Sequence, residues 1–592
     1  MIVFLFAQSI AQGDWSGGPG VCGPVSAWGN TFCSSTSEMF YNFPGKLRLK
    51  GVFKTLDEFS VDGTIGGWDN DPDIVDLDVD GDNDLLVSDE SGPNVVYWYE
   101  NDGCGSFTRH TIDPNIESVD EVVAVDYQRD GDMDVFAASH PALGKDVVLY
   151  ENDGSMGFTT RVIDPVISFG SEGEGIDAGD LDGDGDYDIA VTWLAGGLWW
   201  YENTGSGWIK HGLGTGLGTT YDVVIGDYDG DGDNDIAIAT RNALRLFRNN
   251  GGGAFTQVVV DNTLTDGYGL TSGDMDSDGD IDLALTDRSG KVYVYRNDGS
   301  LSFTRITVDN SLNHPMGVQI ADFEPDGDLD IAVADQYGQR IYVYINDGSL
   351  SFTRTTPSIT SRHYFGVGIG DLNSDASPDI LVRAGLYPSP KEGLWWYKTV
   401  LRYYPTATLT SSVLDAGVYR EWLQVRVTFS NCNPPAPGKE VHIYVRASRY
   451  GSTWTPWIGP YVFTGSGSRN LVDMSVPGSD TFAVQHFRYI QYRAELYSST
   501  DSTLSPIVDE IAFTYDPLGG GDDLSVGENG VSGPLVVLKG RRLEVKAGGT
   551  IVVVSVDGRV VARGEGSLSI RLKKGIYGVL SSGRLLKKVV VR

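Results

Sequence analysis

The acidic stretch DLDGDGDYDIAV, beginning at Asp180, is one of seven copies in the chain. The others are DLDVDGDNDLLV from Asp76, DYQRDGDMDVFA from Asp126, DYDGDGDNDIAI from Asp227, DMDSDGDIDLAL from Asp274, DFEPDGDLDIAV from Asp322 and DLNSDASPDILV from Asp371. Their leading aspartates stand 50, 54, 47, 47, 48 and 49 residues apart. A fixed period of this length restricts the chain to architectures in which each unit is one supersecondary element buried against its neighbours.

Each unit carries the same further pieces. A short apolar stretch precedes the acidic loop, as in YDVVIGD (221–227), and a β-branched run follows it. Next come an aromatic strand such as VVYWYEND (95–102) and a last strand such as FTRHTID (107–113). Asn, Asp and Gly turns bound all four. No long stretch of helical apolar period lies between residues 47 and 400. Four strands per unit over seven units predict an all-β, seven-bladed β-propeller. The seventh unit ends in LWWYKTV (394–400) without a last strand, whereas GVFKTLDEFSVDG (51–63) precedes the first loop. The strand near Val52 to Leu56 is therefore expected to complete the last blade.

Carboxylates at positions 1, 3, 5 and 9, with glycine at 6 and a carbonyl at 7, form an oxygen-rich cage for a hard cation taking six to eight ligands. Calcium suits it better than magnesium, which demands tighter octahedral geometry. Position 12 holds Val87 or Val191 rather than the glutamate of an EF-hand, and the flanks are strands. The pattern resembles the FG-GAP/VCBS repeats of integrin alpha-chain propellers and many bacterial exported proteins, over roughly residues 47 to 400. That resemblance implies about five to seven structural Ca²⁺ ions.

Carried onto this sequence, the ligand positions of the first loop are Asp76, Asp78, Asp80, Asp82 and Asp84. Those of the third are Asp180, Asp182, Asp184, Asp186 and Asp188, Asp186 giving its carbonyl. The fourth has Asp227, Asp229, Asp231, Asp233 and Asp235, and the fifth Asp274, Asp276, Asp278, Asp280 and Asp282. In the sixth, Asp322, Asp326, Asp328 and Asp330 accompany Glu324. The second keeps Asp126, Asp130, Asp132 and Asp134 but has Gln128 at position 3 and Arg129 beside it. The seventh is the most degenerate, with Asp371, Asn373, Asp375 and Asp379 around Ala376 and Ser377. Five sites are expected to bind well and two weakly.

Net charge is −37 over 592 residues, and the odd positions of the seven loops supply 32 of the 81 acids. The acidity is thus mostly ligand charge, and no basic stripe points to nucleic acid. MIVFLFAQSIAQGDW reads as the end of a secretory signal cleaved near Ala11 or Gln12. No apolar stretch approaches a membrane span. Cys22 and Cys33 are candidates for a local disulfide, whereas Cys104 and Cys432 are expected to be free or buried small apolar residues.

The expected divisions are a signal at 1–12, a Gly/Ser-rich segment at 13–46, the propeller at 47–404, a β-sandwich at 405–517, a linker at 518–529 and a β domain at 530–592. The sandwich loosely resembles jelly-roll modules of bacterial surface proteins, some of them carbohydrate-binding, and a spacer role stands beside that reading. Trp454 and Trp457 are either core filling or a sugar-stacking pair. Residues 530–592 hold 13 Lys/Arg against 3 Asp/Glu, with Gly575 and Tyr577 in a GxY. They resemble type IX secretion sorting domains, which implies a surface location in a Gram-negative-type bacterium and the secretion machinery as a partner.

Six residues before each loop stand Asn70, Asp120, Glu174, Tyr221, Tyr268, Met316 and Phe365. Their variety at the inner-strand entrance marks Tyr221, Tyr268 and Phe365, with His314 and His363, as candidates for a ligand surface, ordinary channel-mouth packing being the alternative. No GxSxG, HExxH or triad-like grouping appears. The expected function is a secreted or cell-surface calcium-binding scaffold for adhesion or recognition of an extracellular glycan or protein. The alternative is a propeller-type polysaccharide lyase or hydrolase.

Overall fold

The computed structural model describes residues 51–65, 72–89, 95–116, 119–139, 146–165, 173–324, 326–357, 359–375, 377–385, 392–403, 406–429, 439–448, 450, 452–464, 470–473, 487–499 and 508–516. It also describes short segments within 8–49 and the backbone of strands within 535–591. Asn70, Cys432 and the linker expected at 518–529 lie outside the described residues. All regular structure described is β, and among the described residues no helix is long and apolar enough to cross a membrane.

Seven four-stranded antiparallel sheets follow the acidic repeats. The fourth shows the plan: Thr220–Gly226, Asp235–Thr240, Ala243–Asn249 and Phe255–Asp261 pair in chain order. The second strand of every sheet is buried throughout, which is why runs such as DIAIAT are apolar at successive positions instead of alternating. The last strand alternates toward solvent, as Phe255–Asp261 does. Side chains of adjacent sheets interdigitate: Tyr228, Leu244 and Leu246 of the fourth pack with Leu270, Leu283 and Tyr295 of the fifth. Repeated four-stranded sheets in this arrangement are consistent with propeller blades.

The seventh sheet takes His363–Gly370, Asp379–Gly385 and Glu392–Tyr403 from one end of the repeat region and Gly51–Asp62 from the other. The closing ladder runs from Leu394↔Asp62 to Tyr403↔Gly51, so the strand expected near Val52 to Leu56 is present. Leu85, Val87 and Tyr99 of the first sheet share a core with Leu372, Leu381 and Trp396 of the seventh.

A ten-stranded sheet system occupies the chain beyond Thr406. N-terminal strands join it. Gln8–Gln12, within the stretch read as the end of a secretory signal, pairs with Val508–Asp516. Buried Gln12 accepts a hydrogen bond on Oε1 from Tyr492 Oη at 2.7 Å. Residues of the segment assigned to 13–46 join the same unit: Ser34–Ser35 pairs with Thr406–Thr410, and Trp28 and Phe32 sit in its core with Leu409, Ile443 and Phe513.

Cys22 and Cys33 form a disulfide. Cys104, expected to be free or a buried small apolar residue, is also disulfide-bonded. Trp454 and Trp457 are half-buried, and the Arg446 guanidinium lies 4.8 Å and 4.7 Å from their ring centres. A separate five-stranded sheet joins Leu535–Lys539, Arg542–Ser555, Val560–Arg571, Gly575–Ser581 and Arg584–Val591.

Candidate metal centres

Each acidic loop links the first and second strands of its sheet. Its fold is dictated by the carboxylates themselves. The position-1 aspartate accepts the N–H of the position-6 glycine, as between Gly185 and Asp180 Oδ2 (3.0 Å) and between Gly279 and Asp274 Oδ2 (3.0 Å). That glycine is left-handed, with φ of 97° at both Gly185 and Gly279, a conformation unfavourable to other residues. The position-9 aspartate is a clamp. Asp188 accepts Leu181 N–H on Oδ2 (2.9 Å) and Asn203 N–H on Oδ1 (2.7 Å), tying the loop to the end of the third strand.

Three carboxylates converge, each offering an oxygen within 4.8 Å of the others, in four loops: Asp76, Asp78 and Asp84; Asp180, Asp182 and Asp188; Asp227, Asp229 and Asp231; Asp274, Asp276 and Asp282. Position 5 is turned onto its own backbone in the first, third and fifth loops, accepting Asp82, Asp186 and Asp280 N–H. These clusters could bind metal ions, and two observations support the fit. Asp76 Oδ1 and Asp276 Oδ1 are buried without a hydrogen-bond partner. Burial, followed by neighbouring carboxylates, raises Asp78, Asp182 and Asp276, and burial pushes Asp84 and Asp188 up to about 7. An all-oxygen donor set of this charge suits a hard divalent cation.

Three loops do not gather such a cluster among the described residues. In the second, Gln128 is exposed and the Arg129 guanidinium lies 5.9 Å from the Tyr187 ring centre of the next loop. In the sixth, the longer Glu324 reaches away to accept Phe53 N–H of the closing strand at 3.4 Å. The seventh does not fit a cation cage. Lys398 Nζ lies 2.9 Å from Asp375 Oδ2, donates to Asn373 Oδ1 at 3.0 Å and faces Asp379, so an ammonium already supplies the positive charge. Burial opposes that charge, but the two aspartates hold Lys398 above its ordinary range.

Two recurrent devices escaped the sequence reading. The asparagine closing the aromatic strand clips neighbouring sheets together. Asn249, Asn297 and Asn346 donate from Nδ2 to Leu181, Tyr228 and Met275 carbonyls of the preceding loop at 2.7–2.8 Å, and Asn101 of the first sheet donates to Leu372 of the seventh loop at 3.0 Å. Farther out, an aspartate ending one sheet accepts a tyrosine hydroxyl and an arginine of the next: Asp62 with Tyr99 and Arg109, Asp261 with Tyr295 and Arg305, Asp309 with Tyr344 and Arg354. The signal was present in the repeated Tyr, Asn and FTR positions, but the partners lie in other units.

The structure brings several of the ligand-surface candidates together. Tyr268, Met316 and Phe365 form one buried cluster with Tyr221 against it, Phe365 being 1% exposed. Arg288 lies over both Tyr221 and Tyr268, at 4.5 and 4.4 Å, and pairs with Asp266. Tyr221 and Tyr268 also line a small pocket with Asp120, Glu174 and Asp222. His314 and His363 flank Tyr337, which the sequence did not single out and which is 52% exposed.

The family model described as an FG-GAP-like repeat matches residues 76–137, 129–191, 227–285, 274–333 and 322–382. No curated protein matches the sequence. Similar solved structures include an Agrocybe aegerita lectin that recognises non-reducing terminal N-acetylglucosamine, at 18% identity over 55% of this chain and 92% of that one, TM-score 0.39. Another is BBS1N in complex with ARL6DN, at 13% identity over 59% of this chain and 98% of that one, TM-score 0.41.

Proposed function

For a chain built on FG-GAP-like repeats, we propose a secreted or cell-surface recognition scaffold: a closed seven-bladed propeller stiffened by calcium, which presents its surface to an extracellular glycan or protein. The observation that carries this reading is the recurrence of converging, partly orphaned carboxylates in four loops that also clip sheet to sheet. In the third loop Asp180, Asp182 and Asp188 would hold the ion. The ion would neutralise charge that the fold otherwise confines at its own expense. The basic C-terminal sheet is proposed as the element read by a secretion machinery.

The test is a thermal melt of the full chain with and without free calcium. At 1 mM calcium and a dissociation constant of about 10⁻⁴ M, each site adds about 1.4 kcal/mol, so four add roughly 5 to 6 kcal/mol. A chelator is expected to lower the melting temperature markedly. An unchanged melt refutes the structural role of calcium.

A further inference from the structure

The boundary between the second and third sheets lacks the asparagine clip. Among the described residues the Asn203 side chain bonds only to Gly205 N–H, accepted on Oδ1, and Asn152 likewise stays within its own sheet, donating to Met133 O. The last strand of the third sheet opens with Trp208, where other sheets have Phe107, Phe158, Phe255, Phe303 or Phe352. The larger ring stands as a wedge, its centre 5.9 Å from Tyr127 and 5.6 Å from Phe136. A groove of about 660 Å³ opens beside it, lined among others by Gln128, Arg161, Asp186, Asn203, Ser206 and Trp208, the Asp186 carboxylate being an acceptor that disfavours an anionic ligand. That volume lies within the range of small-ligand sites.

We propose that this groove binds a pyranose residue of a neutral saccharide. An indole at the wall offers a flat apolar face to the C–H side of a sugar ring. Around it stand neutral amides and a hydroxyl from Gln128, Asn203 and Ser206, groups that both donate and accept and so match sugar hydroxyls. Arg161, already paired with Glu151, leaves no unbalanced cation to demand an anionic ligand. Gln128 gains a role here: the loop position that departs from the carboxylate pattern faces the groove. This deepens the recognition reading by naming its site; Asp186 also belongs to the third acidic loop, so the calcium-loaded protein is the form to test.

The experiment uses the calcium-saturated full chain and the methyl pyranosides of glucose, galactose, mannose and N-acetylglucosamine, read by saturation-transfer NMR and calorimetry. At least one is expected to bind in about the millimolar range. Trp208→Ala is expected to weaken it about tenfold. Because Trp208 also packs on Phe136, the double variant Gln128→Ala/Ser206→Ala, at two exposed positions, provides a second reading and is expected to weaken binding similarly. Absence of binding by all four sugars overturns the proposal, as does binding that both variants leave intact. A protein that binds no sugar yet still melts higher with calcium counts against the groove alone.

Discussion

Replacing Asn297 by alanine tests the clip between sheets. The side chain is fully buried and makes three hydrogen bonds: Nδ2 donates to Tyr228 O (2.7 Å) in the fourth sheet and to Ile281 O (3.2 Å), and Oδ1 accepts Gly299 N–H (3.2 Å). Truncation strands two interior carbonyls. At about 1 kcal/mol net per bond, and about 1–3 kcal/mol for each group left unsatisfied, the expected cost is roughly 3 kcal/mol. Asn203→Ala is the internal control. It removes the same atoms from the same position but loses only the bond to Gly205, so its cost is about 1 kcal/mol.

Urea unfolding of both variants with calcium saturating the protein should therefore separate them by about 2 kcal/mol, with the slope unchanged. An isosteric pair sharpens the test. Asn297→Asp turns a donor into an acceptor facing two carbonyls and should cost at least as much as alanine, whereas Asn203→Asp keeps its acceptor and should be mild. Equal costs at positions 297 and 203 would refute the claim that the asparagine acts between sheets.

Two further outcomes follow from the outer devices. Lys398→Met removes the ammonium from Asp375 and Asn373; its melting temperature should become more sensitive to calcium than that of the unaltered protein, and an identical calcium dependence would show that the lysine does not stand in for an ion. At Asp309, burial pushes the carboxyl up, but bonds from Ser311, Tyr344 and Arg354 outweigh it and hold the group below its ordinary range. A lowered folded value means stability present above the unfolded value, about 4, and lost as pH falls through the folded one. The stability gap between the protein and Asp309→Asn should shrink as pH falls from about 5 to 2; a constant gap would count against this linkage.

Much of the architecture was legible because its strongest signals are local. Aspartates spaced along one loop fix that loop, and the apolar run beside it fixes a buried strand. The closing strand could be counted as missing from one end and surplus at the other. What stayed hidden depends on partners far apart in sequence. Asn249 looks like an ordinary turn residue until Leu181 is placed beside it, and Lys398 looks like a strand residue until Asp375 faces it. For Phe365 a ligand surface and channel-mouth packing stood side by side, because nothing local says that Tyr268 and Met316 cluster with it.

The strand Gly51–Asp62 lies some 330 residues before the partner it zips onto, and Gln8–Gln12 waits still longer for Val508–Asp516. During synthesis the first sheets can assemble as they emerge, but neither unit finishes until almost the whole repeat region and the segment after it have left the ribosome. Joining beginning to end in this way makes the last step the one with the greatest loop-closure entropy. A chain truncated before residue 392 would keep six sheets yet expose an unpaired edge at each flank, the surfaces on which a holding chaperone, or another copy of the same fragment, would settle.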